Sequence, residues 1–342
     1  MAQGAYDVVI IGSGPAGYTA ALYAARASLN VLVFQGFESG GQLMLTSDVE
    51  NYPGYRDGVI GPEMMDDFEA QAARFGAEMR PENIERVDFS ERPFKLWPED
   101  EDEPTFAKAV VIATGAKAKW LGLESEQQLM GKGVSGCATC DAFFYRGKRV
   151  AVVGGGDTAM EEAGVLAKFA DEVFLIHRRD EFRASKIMLE RARNNPKITF
   201  ITDTVVEEIL GQDAVEGVRV KNTKTGEEQT IEVSGFFTAI GHTPATSLFE
   251  GHLEMKEGGY VIQKENTMTS VPGVFAAGDV SDTRYRQAVT AAGDGCRAAI
   301  DSERWLEEQG EAPEGAEDPG VWTAEKDKEA VAWQDDEEAG AA

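Results

Sequence analysis

Five stretches of the chain are apolar at nearly every position and rich in β-branched residues: Val8–Ile11, Val31–Phe34, Ala109–Ala113, Val150–Val153 and Val173–Ile176. A strand with one wet face would alternate between apolar and polar residues. An unbroken run predicts a strand buried on both faces, as in a parallel sheet with helices on either side. Two of the runs open the same pattern. Asp7–Ile11 passes through a glycine turn into an apolar helix over Tyr18–Ala27, then into Val31–Phe34. Arg149–Val153 passes through a second glycine turn into a helix over Met160–Phe169, then into Val173–Ile176. Each is a βαβ opening, so the pattern predicts an α/β chain with two doubly wound domains.

Two further segments, Ala109–Gly115 and Gly273–Asp279, read as short buried strands ending in glycine turns. The second βαβ unit lies between them in the chain and looks inserted. The expected division is a first domain over 1–116 and 247–306, with 117–246 inserted. Linking strands are expected around Ala116–Trp120 and Gly241–Thr246. From Glu307 onward 13 acids stand against two lysines, with Pro313 and Pro319 and no sustained apolar stripe. Residues 307–342 therefore read as an acidic, disordered or loosely docked extension, with Trp322 and Trp333 its only docking hints.

The glycine turns carry the first chemistry. Gly12-Ser13-Gly14-Pro15-Ala16-Gly17 is a complete G-x-G-x-x-G between a strand and a helix. Its first glycine permits the tight turn, its second lets backbone approach a pyrophosphate, and its third lets helix pack on strand. The acid that usually binds ribose at the end of the next strand is missing, since Phe34 runs into Gln35-Gly36; Glu38 is the nearest substitute. The second turn, Gly154-Gly155-Gly156-Asp157-Thr158-Ala159, ends in alanine. Its following strand ends in His177-Arg178-Arg179, with Arg183 close behind. An acid there would accept a ribose hydroxyl, whereas arginines pair with a 2′-phosphate, so this domain should prefer NADPH.

Composition narrows the picture. The chain has 342 residues, 42% of them hydrophobic, enough for two medium domains. No apolar run reaches the roughly 20 residues that span a bilayer, and the start has no signal-peptide character, so a cytoplasmic protein is expected. A net charge of −27, from 60 acids and 33 bases, argues against a nucleic-acid partner and points to adaptation to high salt. The three cysteines are too few for a secreted disulfide framework, and no histidine stands at metal-ligand spacing, so no metal site is expected.

Cys137 and Cys140 form a Cys-x-x-Cys followed by Asp141. Two intervening residues let the sulfurs close a small ring. Such pairs exchange disulfides through a thiolate, and the adjacent acid could give and take protons. Cys296, in a small-residue helix, reads as a packed core thiol. His242 and His252 read as ordinary loop or surface residues.

Together these motifs resemble the low-molecular-weight thioredoxin reductases of bacteria and archaea. The resemblance runs from about residue 7 to about residue 306, through Gly12–Gly17, Gly40–Leu43, Glu50–Gly54, Ala113–Gly115, Cys137–Asp141, Phe143–Arg146, Gly154–Ala159, His177–Arg179, Phe182-Arg183, Pro272–Asp279 and Arg286–Ala288. It implies the fold of FAD- and NAD(P)-linked disulfide reductases, with an NADPH domain inserted in an FAD domain, and a homodimer. FAD would lie on Gly12, Ser13, Gly14, Pro15, Ala16 and Gly17. The segments Gly36, Phe37, Glu38 and Gly41, Gln42, Leu43 would line it, with Asn51 and with Ala113, Thr114, Gly115. Gly278 and Asp279 would take the ribityl-phosphate region, and Arg286, Gln287 and Ala288 would bring a helix start to the flavin ring. NADPH would lie on Gly154, Gly156, Asp157, Thr158 and Ala159, with His177, Arg178, Arg179 and Arg183 at its 2′-phosphate. Cys140 would face the flavin, Cys137 would attack the protein disulfide, and Asp141 would be the acid/base. Phe143 and Phe144 would dock a thioredoxin-like protein. Hydride would pass from NADPH to FAD and electrons on to the cysteine pair, with a rotation between domains. Rival readings are a related FAD disulfide reductase with another partner, a dithiol oxidase, and a non-catalytic redox sensor.

Overall fold

The computed structural model describes residues 4–46 and 48–311. Its largest sheet has seven strands. Glu78–Arg80, Val31–Phe34, Tyr6–Ile11 and Thr105–Ile112 run side by side, followed by Phe94–Pro98 and Ile84–Asp88. The central registers are parallel, with Val9 beside both Leu32 and Val110. The last two strands are antiparallel additions. Val274–Ala276, from far along the chain, pairs in parallel with the end of Thr105–Ile112. Val8 to Ile10, Leu32, Val33 and Val110 to Ile112 have no exposed surface. The unbroken apolar runs are thus strands covered on both faces, as the pattern requires.

One face of this sheet is covered by the helices Pro15–Arg26 and Ala288–Glu308, which lie against each other. Their contact is made of small residues: Ala16, Ala20, Ala21 and Ala24 on one, Ala291, Gly295, Ala298 and Ala299 on the other. A methyl group at Gly295 would lie 2.1 Å from the Ala16 carbonyl oxygen, so the helices touch backbone to backbone. The second helix runs on to Glu308, and Glu311 pairs with Arg92 at 2.6 Å. The ordered body therefore extends past residue 306 into the first residues of the acidic extension. The rest of that extension lies outside the described residues.

The second sheet is wholly parallel, in the order Val134–Ser135, Gly235–Thr238, Arg149–Val153, Glu172–Ile176, Ile198–Ile201. A three-stranded antiparallel sheet, Thr204–Leu210, Gly217–Asn222 and Glu228–Glu232, packs on it through Val206, Ile209, Val218, Val220 and Ile231. All these strands fall between Thr105–Ile112 and Val274–Ala276 of the first sheet. The two connections between the sheets pair with each other: Ala116–Ala118 runs antiparallel to His242–Pro244. Beyond the pair, the Lys119 amide donates to the Gly241 carbonyl at 2.9 Å and the Ala245 amide to the Gly115 carbonyl at 3.0 Å.

Glu126 fixes the incoming connection to the second sheet. Its side chain is fully buried and accepts from the amides of Leu121 (3.1 Å) and Gly122 (2.9 Å) and from the Thr238 hydroxyl (3.1 Å). Glu126→Ala leaves two amides and a hydroxyl without an acceptor. It should cost about 3 kcal/mol or more in urea unfolding, and Glu126→Gln less. A cost for the alanine variant below about 1 kcal/mol would show that the carboxylate is dispensable.

Candidate functional site

The first glycine turn is shaped by two contacts. Gly12 has φ +112°, and a methyl group there would lie 2.3 Å from the Ala113 carbonyl oxygen; one at Gly17 would lie 1.9 Å from that of Gly12. At Gly14 a methyl group would meet nothing within 4 Å. The first and third glycines therefore serve packing, and the second leaves an open cradle. Gly14 caps the helix Pro15–Arg26 without any side-chain hydrogen bond, so the first amides of the helix are left for a ligand. This is the shape an FAD pyrophosphate requires.

Several of the other expected FAD residues lie against the turn. The Ser13 hydroxyl donates to the Gln35 carbonyl at 2.8 Å and accepts from the Gly40 amide at 3.0 Å, tying the turn to residues 35–40. Gly41 passes beside Gly14, where a methyl group would lie 3.2 Å from the Gly14 Cα. Gln42 is exposed and Leu43 half-buried on the short helix Gly41–Leu45, and Asn51 is exposed farther along. The Thr114 hydroxyl donates to the Ala245 carbonyl at 2.7 Å, anchoring Ala113–Gly115 beside the linking strands. Gly278 lies against Ala16, which brings Asp279 to the same helix end. Burial, and then Asp282, push the Asp279 carboxyl up to about 7, against the opposing pull of Arg286.

Glu38 stands fully out in solvent, 3.6 Å from Lys117 of the linking strand. The strand-end turn faces instead two residues that sequence reasoning missed. The Glu82 carbonyl accepts from the Gly36 amide at 3.2 Å, and one carboxylate oxygen of Glu82 is buried without a partner. The Asn83 side-chain oxygen accepts from the Phe37 amide at 3.4 Å. Only the sheet order, which sets Glu78–Arg80 beside Val31–Phe34, puts them there; no local motif announces them.

The cysteine turn lies across the linking strands. A methyl group at Gly136 would come within 3.2 Å of Ala118 and 3.4 Å of Trp120. Cys137 and Cys140 form a disulfide. The Ser135 hydroxyl accepts from the Cys137 amide at 3.0 Å, and Cys137 Sγ accepts from the Cys140 amide at 3.2 Å. Asp141 is half-buried, and burial raises its pKa against a lowering hydrogen bond from Ser135. It holds its proton to higher pH than an exposed aspartate, as a general acid must. Phe143 and Phe144 are 56% and 41% exposed, their rings edge to face at 6.3 Å, with Arg146 over Phe143.

This turn meets the first sheet's unit. Gln287 caps the helix Ala288–Glu308, and its Nε2 lies 4.0 Å from Cys137 Sγ. Arg286, before it, holds φ +46°, and its amide donates to the Asp282 carboxylate at 2.9 Å. His242, expected as a loop or surface residue, is instead half-buried on its linking strand with Nδ1 unpartnered. Burial first, and then Arg286 and Lys119, lower its pKa to about 4. Cys296 is half-buried rather than packed in the core, close to the Tyr23 hydroxyl. His252 is exposed, as expected.

The second glycine turn repeats the first. A methyl group at Gly154 would lie 2.3 Å from the Ala239 carbonyl oxygen, Gly156 faces open space, and Ala159 is buried. His177 packs on Gly155 and its ring stacks on Phe182 at 4.8 Å. The Asp157 carboxylate accepts from the Ser185 amide at 2.7 Å, so it holds the 181–185 loop over the turn, and Thr158 comes next on the helix. Arg178, Arg179 and Arg183 are exposed and have no carboxylate within ion-pair distance among the described residues. Three free guanidiniums beside an open glycine turn fit a phosphorylated nicotinamide nucleotide.

Two glycine cradles, with a disulfide poised between the units that carry them, define a flavin- and nicotinamide-linked disulfide reductase. The family model for pyridine nucleotide-disulphide oxidoreductases matches residues 6–295. Over 308 residues the chain is 57% identical to the thioredoxin reductase of Mycolicibacterium smegmatis, covering 90% of this chain and 98% of that one. It is also 57% identical to the bifunctional thioredoxin reductase/thioredoxin of Mycobacterium leprae, covering 89% of this chain and 66% of that one. The thioredoxin reductase structure from Giardia duodenalis superposes with a TM-score of 0.86 at 46% identity, over 89% of this chain and 100% of that one. The chain belongs to the thioredoxin reductases.

The two kinds of glycine give a direct test. Gly17→Ala should lower the thermal midpoint of the flavin-free protein by several degrees, because its methyl group collides with backbone. Gly14→Ala should fold normally yet emerge colourless from gel filtration. Equal effects of both changes on stability would overturn the division.

Proposed function

We propose that this thioredoxin-disulfide reductase, working with FAD and NADPH, delivers reducing equivalents through Cys137–Cys140 to a thioredoxin-like protein, with the residues of the two cradles and the cysteine turn dividing the work. A bound flavin would supply the redox chemistry that side chains lack, exchanging hydride with a nicotinamide and an electron pair with a disulfide. The amides following Gly14 hold the pyrophosphate, and Gly36, Phe37 and Glu82 border the adenosine end. Asp279 hydrogen-bonds the ribityl-phosphate region, more readily because burial favours its protonated, donating form. Arg286 and Gln287 set the start of the helix Ala288–Glu308, whose dipole favours negative charge beside it. Gly154, Gly156 and Thr158 hold the second pyrophosphate, and Arg178, Arg179 and Arg183 pair with the 2′-phosphate. Cys140 is the sulfur for the flavin side, Cys137 the attacking sulfur, and Asp141 gives and takes the proton. Phe143 and Phe144 offer the partner an apolar surface.

The observation that carries this reading is the Gln287–Cys137 approach: the disulfide of the second sheet's unit comes within 4.0 Å of the residue that caps the helix Ala288–Glu308 of the first. The domain limits we propose are 1–116 with 247 to the end of the helix Ala288–Glu308, two residues past the expected 306, and 117–246 between them. The same cysteine turn must also release the partner's disulfide, and two linking strands permit a rigid-body rotation between these tasks. A cytoplasmic homodimer is part of the proposal. Adaptation to high salt, supported by the charge of −27, is another.

Anaerobic NADPH should bleach the flavin band of the yellow protein, and oxidised thioredoxin should restore it. With either cysteine replaced by serine the bleaching should remain and the restoration fail; restoration by a serine variant would refute the assignment. Arg178→Ala with Arg179→Ala should raise KM for NADPH by about tenfold or more while sparing NADH, since charge-assisted pairs are worth about 1.5–3 kcal/mol. A parallel loss for both nucleotides would remove the phosphate assignment. The unfolding midpoint should climb as salt approaches about 1 M, where the screening length falls to about 3 Å; a midpoint indifferent to salt rules the adaptation out.

A further inference from the structure

An unbroken chain of hydrogen bonds joins the first glycine turn to the segment that follows Val31–Phe34 and to a second helix. Tyr18, in the first turn of the helix Pro15–Arg26, and Ser13, inside the glycine turn, are only 1% and 3% exposed. The Gly40 amide donates to the Ser13 hydroxyl at 3.0 Å, and that hydroxyl donates to the Gln35 carbonyl at 2.8 Å. The Gln35 side-chain amide donates to the Tyr18 hydroxyl at 2.8 Å, and Tyr18 donates to the Glu69 carboxylate at 2.8 Å. Glu69 stands on the helix Gly61–Arg74. The same helix meets the segment again: a methyl group at Gly61 would lie 2.1 Å from the Leu43 carbonyl oxygen, and one at Gly40 would lie 3.4 Å from Met65 Cβ. Gln35 follows the strand end, where an acid would ordinarily await a ribose, and its side chain is instead spent on Tyr18.

We propose that Tyr18, Gln35 and Glu69 are positioning residues for the flavin nucleotide: with Ser13 they form a one-way hydrogen-bond chain that holds residues 35–41 closed on the pyrophosphate turn. This rests on the reading of that turn as the FAD cradle. The direction follows from the two ends. A backbone amide can only donate and an ionised carboxylate can only accept, so both hydroxyls between them have their protons assigned. Burial, and then Glu69, push the Tyr18 phenol above the ordinary tyrosine range, so the hydroxyl remains a donor. In a poorly solvated place such a chain polarises along its length. A break at Tyr18 leaves the Gln35 amide without an acceptor and Glu69 without a donor. The Ser13 proton is committed to Gln35, so phosphate oxygens are left to the amides that follow Gly14. The held segment passes beside the cradle, since a methyl group at Gly41 would lie 3.2 Å from the Gly14 Cα. A segment closed beforehand need not be ordered when the nucleotide binds, and it resists opening when the nucleotide leaves.

Flavin release from the loaded full-length protein measures that hold. The protein is diluted, and the rise of free-flavin fluorescence gives the release rate. Tyr18→Phe and Gln35→Met should each release FAD about tenfold faster, the effect of losing one or two buried hydrogen bonds. Glu69→Gln keeps an accepting oxygen and should stay within about twofold of the wild type. Glu69→Lys puts a donor where the chain needs an acceptor and should match Tyr18→Phe. Hydrogen exchange on the same samples, read by peptide mass spectrometry, should quicken over residues 35–41 in Tyr18→Phe and stay unchanged over Tyr6–Ile11. Wild-type release from Tyr18→Phe and Gln35→Met would overturn the proposal. So would exchange that quickens equally in both stretches, which marks a role in stability alone, and so would equal responses to Glu69→Gln and Glu69→Lys. Gln35→Met carries the same exchange expectation if Tyr18→Phe does not fold. Wild-type protein that takes up no FAD would sink the parent reading, and exchange over 35–41 would still decide this one.

Discussion

The structure depends on one meeting across a seam. The chemistry of the chain is divided between two sheets, and only the strands Ala116–Ala118 and His242–Pro244 join them. The sulfurs lie on the second unit and the flavin cradle on the first, so the Cys137–Gln287 approach is the point at which the halves become one site. The seam demands a bare backbone. Gly136 lets the cysteine turn lie on Ala118 and Trp120, and the Gln287 side chain reaches from the helix start to Cys137. It also demands a firm footing, which Glu126 supplies by binding the incoming connection to Thr238 of the second sheet. Rigidity within each unit and a narrow joint between them suit a site that must face a cofactor at one moment and a protein at another.

The two glycine turns show how one constraint produces the same answer twice. In each, a strand must reverse into a helix while leaving amides free for phosphate. The first glycine yields to a neighbouring carbonyl, Ala113 in one turn and Ala239 in the other, and the second is left open. The turns differ at the last position. The helix Pro15–Arg26 presses on the Gly12 carbonyl and tolerates no methyl group at Gly17. The helix Asp157–Leu166 has room for the methyl group of Ala159. The end of the next strand then separates the ligands: it is uncharged on the first sheet and carries unpaired arginines on the second.

Most of the site was legible in the sequence because its parts are local. A strand, a glycine turn and a helix start are consecutive, and the Cys-x-x-Cys is a single short turn. Apolar runs buried on both faces announce their strands without reference to anything distant. The residues that escaped notice are acids and a histidine whose character is set by partners far along the chain. Glu126 is one glutamate among many until Thr238, 112 positions later, closes over it. Glu82 owes its place to sheet order, and His242 to a strand pairing. Glu38 sits near the expected position in sequence, and the backbone carries it outward to Lys117.

Electrostatics explains why the buried acids suit such a chain. The cofactors of this family bring phosphate charge to a protein already at −27. Further anions inside the site would oppose their binding, so acids placed there for hydrogen bonding are best kept protonated. Burial pushes Asp279 toward that state, to a pKa of about 7, against the pull of Arg286, so near neutrality it is about half protonated. Because that value is raised above that of the unfolded chain, its contribution to stability is complete below about pH 4 and is lost as pH rises through the folded value. Arg286 acts both on Asp279 and on the carboxylate of Asp282, which lies at hydrogen-bond distance from its amide, so its charge is shared between a half-protonated acid and an ionised one. It does so from a strained backbone, fixed by Asp282, at the place where the two units touch.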